Sequence, residues 1–266
     1  MGKRFPSKTP RRKTRSLKRS TQLAALLSVA FAPLAPFTAP LNARTESREP
    51  ASQTVPGTSF MPAVGRIVCR ASGLRLMSTA TLVEDRRTLL TVSHFNFDDA
   101  SDHAMPVEDC EFQFLDATGR VGFRSRIEVV ARGAQGKSLR ISRATDWAIL
   151  RLSETAPVDR YPLMVDSTSL LDDHTPVNLV AYDGKHKMMS TQFADSDCEP
   201  EPSSPRSIIL EHKCETAPGA SGAPLIMMVG GHPRVVAIHT ARNSEGGLAV
   251  RFAGAAAQSM AERNRS

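Results

Sequence analysis

The segment GASGAP at residues 219–224 surrounds Ser221 with small residues and two glycines. Glycine permits backbone conformations and close approaches that a side chain would prevent, so the serine hydroxyl is left uncovered. Consecutive amides in such a turn can converge on one point, which is the geometry that holds a developing oxyanion. The same residue types also build ordinary tight turns. The segment therefore indicates a nucleophile only if a base and an acid accompany it.

Both partners are present upstream of this segment. His94 ends the run TLLTVSH at residues 88–94, and Asp146 begins the run DWAIL at residues 146–150. A neutral imidazole accepts and returns a proton near pH 7, and a carboxylate drawn inward beside it fixes the imidazole tautomer. The competing interpretations are a partly buried structural histidine for His94 and a strand-start cap for Asp146. Together with Ser221 the two residues make a complete set for nucleophilic catalysis.

The chain resembles the trypsin-like (chymotrypsin-fold) serine peptidases over about residues 60–260, in particular the bacterial branch that includes the glutamyl endopeptidases. The motifs that carry the resemblance stand in the family's chain order and are TATLV (79–83), LLTVSH (89–94), DWAIL (146–150) and CETAPGASGAPL (214–225). The resemblance implies a catalytic triad of His94, Asp146 and Ser221. It further implies an oxyanion hole formed by the backbone N–H groups of Gly219 and Ser221, and a mechanism that requires neither a metal nor a cofactor.

Short runs of β-forming residues favour an all-β fold. Turns rich in Gly, Asp, Asn and Pro separate the predicted strands, which cover residues 66–69, 78–83, 88–92, 110–114, 126–130, 147–152, 176–181, 207–211, 225–228 and 235–239. The resemblance implies two six-stranded antiparallel β-barrels of the chymotrypsin type, an N-terminal barrel at residues 61–160 and a C-terminal barrel at residues 161–266. Residues 252–264 are alanine-rich and free of proline, which predicts a short C-terminal helix.

The first 43 residues read as an export signal. Nine Lys and Arg residues and no acid occupy residues 1–20, and an apolar stretch follows at residues 23–32. That stretch is too short and too proline-broken to predict a membrane span. We therefore interpret residues 1–43 as a signal peptide and residues 44–60 as a linker or pro-segment, and expect a secreted or periplasmic protein. A disordered basic arm and an organelle transit peptide are the alternatives.

The basic character of the chain belongs to this tail. Of the 34 Lys and Arg residues, 25 follow residue 43 and face all 27 Asp and Glu residues, so the body has a formal charge of −2 although the whole chain carries +7. A nucleic-acid binder needs a basic surface on its folded domain, and the charge distribution argues against that class. The expected partners are protein or peptide substrates, without nucleic acid and without stable membrane insertion after signal removal. The sequence carries no signal for an oligomeric state.

The four cysteines fit an oxidising compartment. They are Cys69, Cys110, Cys198 and Cys214, and three disulfide connectivities are possible among them. No Cys-x-x-Cys pair supports a zinc or thioredoxin-type site. The resemblance implies a bridge between Cys198 and Cys214, just before the nucleophile, which leaves Cys69 and Cys110 as the second pair. Four reduced cysteines would instead require a cytosolic protein.

The residues around the nucleophile depart from those of trypsin. Ala220 stands where trypsin-type zymogens carry an aspartate, and Thr216 is preceded by Lys213, Cys214 and Glu215. Thr216 and His239 resemble the residues with which glutamyl endopeptidases bind an acidic side chain, although both also occur in relatives with other preferences.

Two further residues bear on substrate binding. Arg242 adds a cation that can stabilise a carboxylate. Thr240 is expected to offer its backbone to an extended substrate strand.

The sequence thus predicts a secreted serine endopeptidase that cleaves peptide bonds through an acyl-enzyme intermediate, with a preference for acidic residues before the scissile bond. The alternative is a protease-like binding protein that keeps the fold but does not turn over. The intact set of His94, Asp146 and Ser221, with both glycines, favours the enzyme.

Overall fold

The structure is a computed structural model that describes residues 58–71, 73–98, 103–116, 118–133, 143–168, 175–184, 192–202, 207–252 and 257. Within these ranges the 3-10 helices are Thr58–Ala63, Ser93–Asn96, Val107–Asp109 and Arg143–Thr145. The strands are β1 (Val64–Ala71), β2 (Leu74–Leu82), β3 (Thr88–Thr91), β4 (Phe97–Asp98), β5 (His103–Ala104), β6 (Cys110–Leu115), β7 (Val121–Arg132), β8 (Ala148–Leu152), β9 (Met164–Val165), β10 (Val177–Tyr182), β11 (Gln192–Cys198), β12 (Pro200–Pro202), β13 (Ile209–His212), β14 (Pro224–Val229), β15 (His232–Arg242) and β16 (Gly247–Arg251). The all-β fold expected from the sequence is confirmed.

Six strands of the first half close into a barrel in the order β1-β2-β3-β8-β7-β6. All four residues of β3 are buried, whereas β7 alternates between buried or half-buried and exposed residues over much of its length. That alternation is the period-2 pattern of a strand with one face on the core. Phe112 and Phe114 of β6 are fully buried, and their rings meet edge to face with centroids 4.7 Å apart. Burial of such apolar side chains is the main stabilising contribution to the barrel.

The second half forms an eight-stranded sheet. Its order is β11-β10-β14-β15-β16-β13-β12, and β9 pairs in parallel with β15. In the described residues the hydrogen-bonded ladder does not close between β11 and β12, so the predicted second closed six-stranded barrel is not found there. Pro200 and Pro202 stand in β12, and proline has no N–H to donate to a neighbouring strand.

The two halves share one apolar core. Buried residues of the second sheet, Val180 and Ile238 among them, belong to the same cluster as the barrel interior. Trp147, which precedes β8, meets Phe252 beyond β16 edge to face at 6.2 Å between ring centroids. The connection between the barrel and the second sheet runs from the end of β8 at Leu152 to the start of β9 at Met164.

Two disulfides join neighbouring segments. Cys69 of β1 bonds to Cys110 of β6, and Cys198 at the end of β11 bonds to Cys214. The second bridge lies on the segment that leads to Ser221. Apart from Phe252 and Ala257, the predicted C-terminal helix at residues 252–264 lies outside the described residues. Across the described ranges no helix is long and apolar enough to span a membrane.

Candidate active site

Asp146 and His94 are in direct contact. The 3-10 turn Arg143–Thr145 delivers Asp146 just before β8, and the chain leaving β3 places His94 in the 3-10 turn Ser93–Asn96. The Nδ1 atom of His94 lies 2.8 Å from Asp146 Oδ2 and 3.0 Å from Oδ1. An Nδ1–H that donates to this carboxylate leaves Nε2 as the proton acceptor, which is the tautomer a general base requires.

The Asp146 carboxylate is fully buried and fully engaged. Its Oδ1 atom accepts the backbone N–H groups of Ser93 (3.1 Å) and His94 (3.3 Å). The Nη1 atom of Arg143 lies 3.7 Å from Oδ2. A buried carboxylate is tolerated only with such partners. This set of donors holds Asp146 in one orientation beneath the imidazole of His94, whose side chain is 22% exposed while that of Asp146 is 0% exposed.

Ser221 lies in the turn between Pro218 and β14. The amides on either side of it are paired, because Ala220 N–H donates to Ala217 O (2.9 Å) and Gly222 N–H donates to His239 O (2.7 Å). The N–H groups of Gly219 and Ser221, by contrast, donate to no acceptor among the described residues. The turn therefore presents two open amide donors, at the two positions expected from the sequence.

The hydroxyl of Ser221 forms no hydrogen bond with any described residue, His94 included. In unliganded enzymes catalytic hydrogen bonds are often long and tighten only when substrate binds.

Both glycines of the turn are required by the backbone. Gly219 has a φ of +101° and Gly222 a φ of +87°, in the region that side chains avoid. A Cβ on Gly222 would overlap the Thr79 carbonyl oxygen and the Thr91 hydroxyl. One on Gly219 would lie 2.5 Å from the Met77 methyl group. The turn can lie this close to the barrel only because neither residue has a side chain.

A pocket of about 390 Å³ opens beside Ser221. Its lining residues are Thr216, Ala217, Pro218, Gly219, Ser221, His239, Ala241 and Arg242. Thr216 is 4% exposed, and its hydroxyl has no hydrogen-bond partner among the described residues. Arg242 Nη1 donates to the Thr216 carbonyl at 2.9 Å. The lining residues therefore include a buried Thr216 hydroxyl without a partner among the described residues, and a guanidinium held by the Thr216 carbonyl.

His239 stands in the pocket wall against a second buried histidine. His212 Nε2 and His239 Nδ1 are 3.0 Å apart, and the two rings meet edge to face. Burial, together with the nearby Arg242 charge, lowers the pKa of His212 to about 4. Burial, followed by the neighbouring His212 and Arg242, lowers the pKa of His239 to about 3. Both rings are therefore neutral at neutral pH, and Arg242 is the charged group of the pocket.

His212 carries no sequence motif that marks it as a site residue. Its place depends on β13 pairing with β16 and β16 with β15, a register that brings His212 to His239 across 27 residues. The alternation of buried positions in β13 is the only local signal. Thr240 does not line the pocket. It is buried, and its hydroxyl donates to the Leu248 carbonyl at 3.3 Å.

The chain matches one protein family. Residues 78–238 match the family described as "Trypsin-like peptidase domain". Among curated proteins no sequence matches the chain.

Three solved structures are similar in fold. A Glu endopeptidase in complex with MPD is 14% identical, covers 80% of this chain and 95% of its own, and has a TM-score of 0.61. A thermostable serine protease, AL20, from an extremophilic microorganism is 13% identical with 78% and 99% coverage and a TM-score of 0.57. The serine endoprotease from Yersinia pestis is 17% identical with 76% and 62% coverage and a TM-score of 0.52.

Proposed function

Because the chain belongs to the trypsin-like peptidase family and is a serine endopeptidase, we propose that Ser221, His94 and Asp146 form its catalytic triad. The observation that carries this proposal is the buried contact between Asp146 and His94, at 2.8 Å, in a protein whose nucleophile turn has two open amides. Replacement of Ser221 is the direct test, since no other group in the proposed mechanism forms the acyl bond.

The proposed reaction proceeds in two halves. Ser221 Oγ attacks the peptide carbonyl carbon while His94 Nε2 takes the hydroxyl proton, and the resulting oxyanion accepts the N–H groups of Gly219 and Ser221. His94 then gives the proton to the leaving amine, the C–N bond breaks, and an acyl-enzyme remains. Water, deprotonated by His94, hydrolyses the ester and restores Ser221. Asp146 stabilises the imidazolium in both halves.

The second element of the proposal is a preference for an acidic side chain before the scissile bond. The pocket beside Ser221 supports it, because the Thr216 hydroxyl lacks a partner among the described residues and Arg242 lines the same wall. With His212 and His239 neutral, the attraction for a carboxylate comes from Arg242. A hydrogen bond to a charged group is worth about 1.5–3 kcal/mol, or about 10- to 100-fold in rate against a neutral substrate.

We expect Arg242→Gln to abolish this preference. The parent should cleave a peptide with Glu before the scissile bond about 10- to 100-fold faster, in kcat/KM, than the isosteric Gln peptide. In Arg242→Gln the ratio should approach one, mainly through loss of the Glu substrate, because the Gln substrate never used the charge. The measurement is kcat/KM for the two fluorogenic peptides.

A matched control for this comparison is Arg234→Gln, which removes an arginine from the same strand, β15, outside the pocket. That variant should keep the parent ratio. A parent enzyme that cleaves both peptides equally, or an Arg242→Gln enzyme that still prefers Glu, would show that the pocket does not select acids through Arg242.

Export is the third element of the proposal. Residues 1–43 serve as a signal peptide, and residues 44–60 link it to domains at 61–160 and 161–266. The two disulfides support it, since such bonds persist in oxidising compartments. Closure of the second barrel is supported by the chain itself, because its two edge strands, β11 and β12, are separated only by Glu199. A helix at residues 252–264 completes the proposed architecture.

A further inference from the structure

Thr79 of β2 contacts the nucleophile turn twice. Its backbone N–H donates to the carbonyl of Ser221 at 2.8 Å, and its hydroxyl donates to the carbonyl of Gly219 at 2.8 Å. Thr79 is fully buried in the first barrel, 140 residues away in sequence from Gly219. From these contacts we propose that Thr79 is a positioning residue that sets the oxyanion hole through its hydroxyl. The inference rests on the proposed function and assigns Thr79 no contact with substrate.

Three peptide planes of the turn set the direction of its N–H groups. A peptide unit is planar and trans, so holding its carbonyl also fixes the direction of its N–H. The plane that carries Gly219 N–H is held by Gly184, whose N–H donates to Pro218 O at 2.6 Å. The plane that carries Ser221 N–H is held at Ala220 O, which accepts Ala223 N–H at 2.8 Å.

The remaining plane joins Gly219 to Ala220 and lies between the two oxyanion donors. Its N–H donates to Ala217 O, and its carbonyl accepts the Thr79 hydroxyl. Gly219 has no side chain and a positive φ, so nothing in its own structure resists rotation of this plane. The two torsions beside this plane, ψ of Gly219 and φ of Ala220, help to set the angle between the two donor planes. A net change in these torsions would misalign the two open N–H groups. The hydrogen bond from the Thr79 hydroxyl, a side chain of the first barrel, opposes rotation of this plane.

The direction of the Thr79 hydroxyl is fixed by a second contact. The N–H of Tyr182, at the end of β10, donates to Thr79 Oγ1 at 3.0 Å. An oxygen that accepts this N–H is free to direct its own proton to Gly219 O, since a hydroxyl is both donor and acceptor. The carbonyl of Thr79 in turn accepts the Thr91 hydroxyl at 2.7 Å. Thr91 lies three residues before His94, so Thr79 connects the nucleophile turn to the segment that carries the proposed base.

The test compares Thr79→Val with Thr79→Ser. Valine keeps the shape of threonine but removes the hydroxyl, whereas serine keeps the hydroxyl. We expect Thr79→Val to lower kcat by about 10- to 100-fold, less than the 10²–10³ typical for loss of an oxyanion donor, because the donors remain but lose their alignment. KM should stay within about threefold, because Thr79 makes no contact with substrate in this proposal. Thr79→Ser should retain kcat within about threefold, because serine keeps the hydroxyl.

A transition-state analogue separates positioning from general damage. A peptide aldehyde forms a hemiacetal with the nucleophile and places its oxygen in the oxyanion hole. Its inhibition constant should rise in Thr79→Val by the same factor by which kcat/KM falls, because both report transition-state stabilisation. A merely structural role would lower the melting temperature without this parallel rise.

The chain supplies a matched control on the same strand. Thr81 of β2 is also fully buried, and its hydroxyl has no hydrogen-bond partner among the described residues. Thr81→Val therefore makes the same substitution in the same barrel without loss of a hydrogen bond. It should leave kcat and the aldehyde inhibition constant unchanged.

Three outcomes decide the matter. The proposal is overturned if folded Thr79→Val matches the parent in kcat and in the aldehyde inhibition constant, or if Thr81→Val loses as much as Thr79→Val. If the valine variant does not fold, Thr79→Cys, which keeps a weak donor of similar size, is held to the same criterion, with an intermediate loss expected. A parent that neither hydrolyses peptides nor binds the aldehyde would refute the proposed function itself, which is a distinguishable result.

Discussion

Ser221→Ala should lower kcat/KM for peptide hydrolysis by about 10⁶, because removal of the nucleophile leaves the base with no alcohol to activate. The fold should survive, since the Ser221 hydroxyl makes no hydrogen bond to a described residue and the turn is held by backbone contacts. The measurement pairs hydrolysis rates with labelling by a fluorophosphonate, read by intact mass. The parent should gain one adduct and the variant none.

Alternative outcomes of this experiment each point to a specific reading. Activity or labelling that persists in Ser221→Ala would place the nucleophile elsewhere. A folded, disulfide-bonded parent that neither labels nor hydrolyses would make the protease-like binding protein the better description. Thr81→Val serves as the folded control here as well, because it alters a buried side chain of the barrel without touching the turn.

Asp146→Asn should lower kcat by about 10⁴ through the wrong histidine tautomer. An asparagine amide directs its N–H₂ group at His94 Nδ1, so the imidazole proton moves to Nε2, which then cannot accept the Ser221 proton. Its carbonyl oxygen can still accept the backbone N–H groups of Ser93 and His94, now held by Oδ1. The loss should therefore appear in kcat at neutral pH, with the melting temperature only modestly lower.

The control for this change is Asp116→Asn. Asp116 caps an exposed turn through Thr118 and Arg120, and this turn contains no residue of the proposed triad. It should cost some stability of that turn and no activity. A loss of less than tenfold in Asp146→Asn would mean that the His94 tautomer is set by another group.

The first barrel could be predicted, and the residues of the proposed triad could be singled out, because their signals in the sequence are local. The buried residues of β3 and β8 form short apolar runs, and His94 and Asp146 stand at the ends of those runs. Strands with weak local signals were missed. β12 contains two prolines, and β16 begins at a glycine in the polar stretch after Arg242.

Contacts that depend on the register between strands could also not be predicted from the sequence. His212 meets His239 only through two strand pairings, and Thr79 reaches Gly219 across 140 residues. A threonine in a strand carries no mark of a hydrogen bond that distant.

The buried pair of His212 and His239 makes the stability of the fold depend on pH. Both pKa values lie below the ordinary value of 6.5, at about 4 and about 3. Below about pH 6.5 each histidine binds a proton in the unfolded chain but stays neutral in the folded protein. The free energy of unfolding therefore falls as the pH falls, by up to about 2.7 kcal/mol per pH unit for two protons. The full contribution is present above pH 6.5 and is lost progressively down to the folded pKa values.

The free energy of unfolding, measured with urea, should be lower at pH 5 than at pH 7. The dependence of this free energy on pH should decrease by about one proton in His212→Gln and stay unchanged in the exposed control His103→Gln. Equal slopes in parent and His212→Gln would contradict it. The neutral histidine pair therefore couples the stability of the peptidase to the acidity of its surroundings.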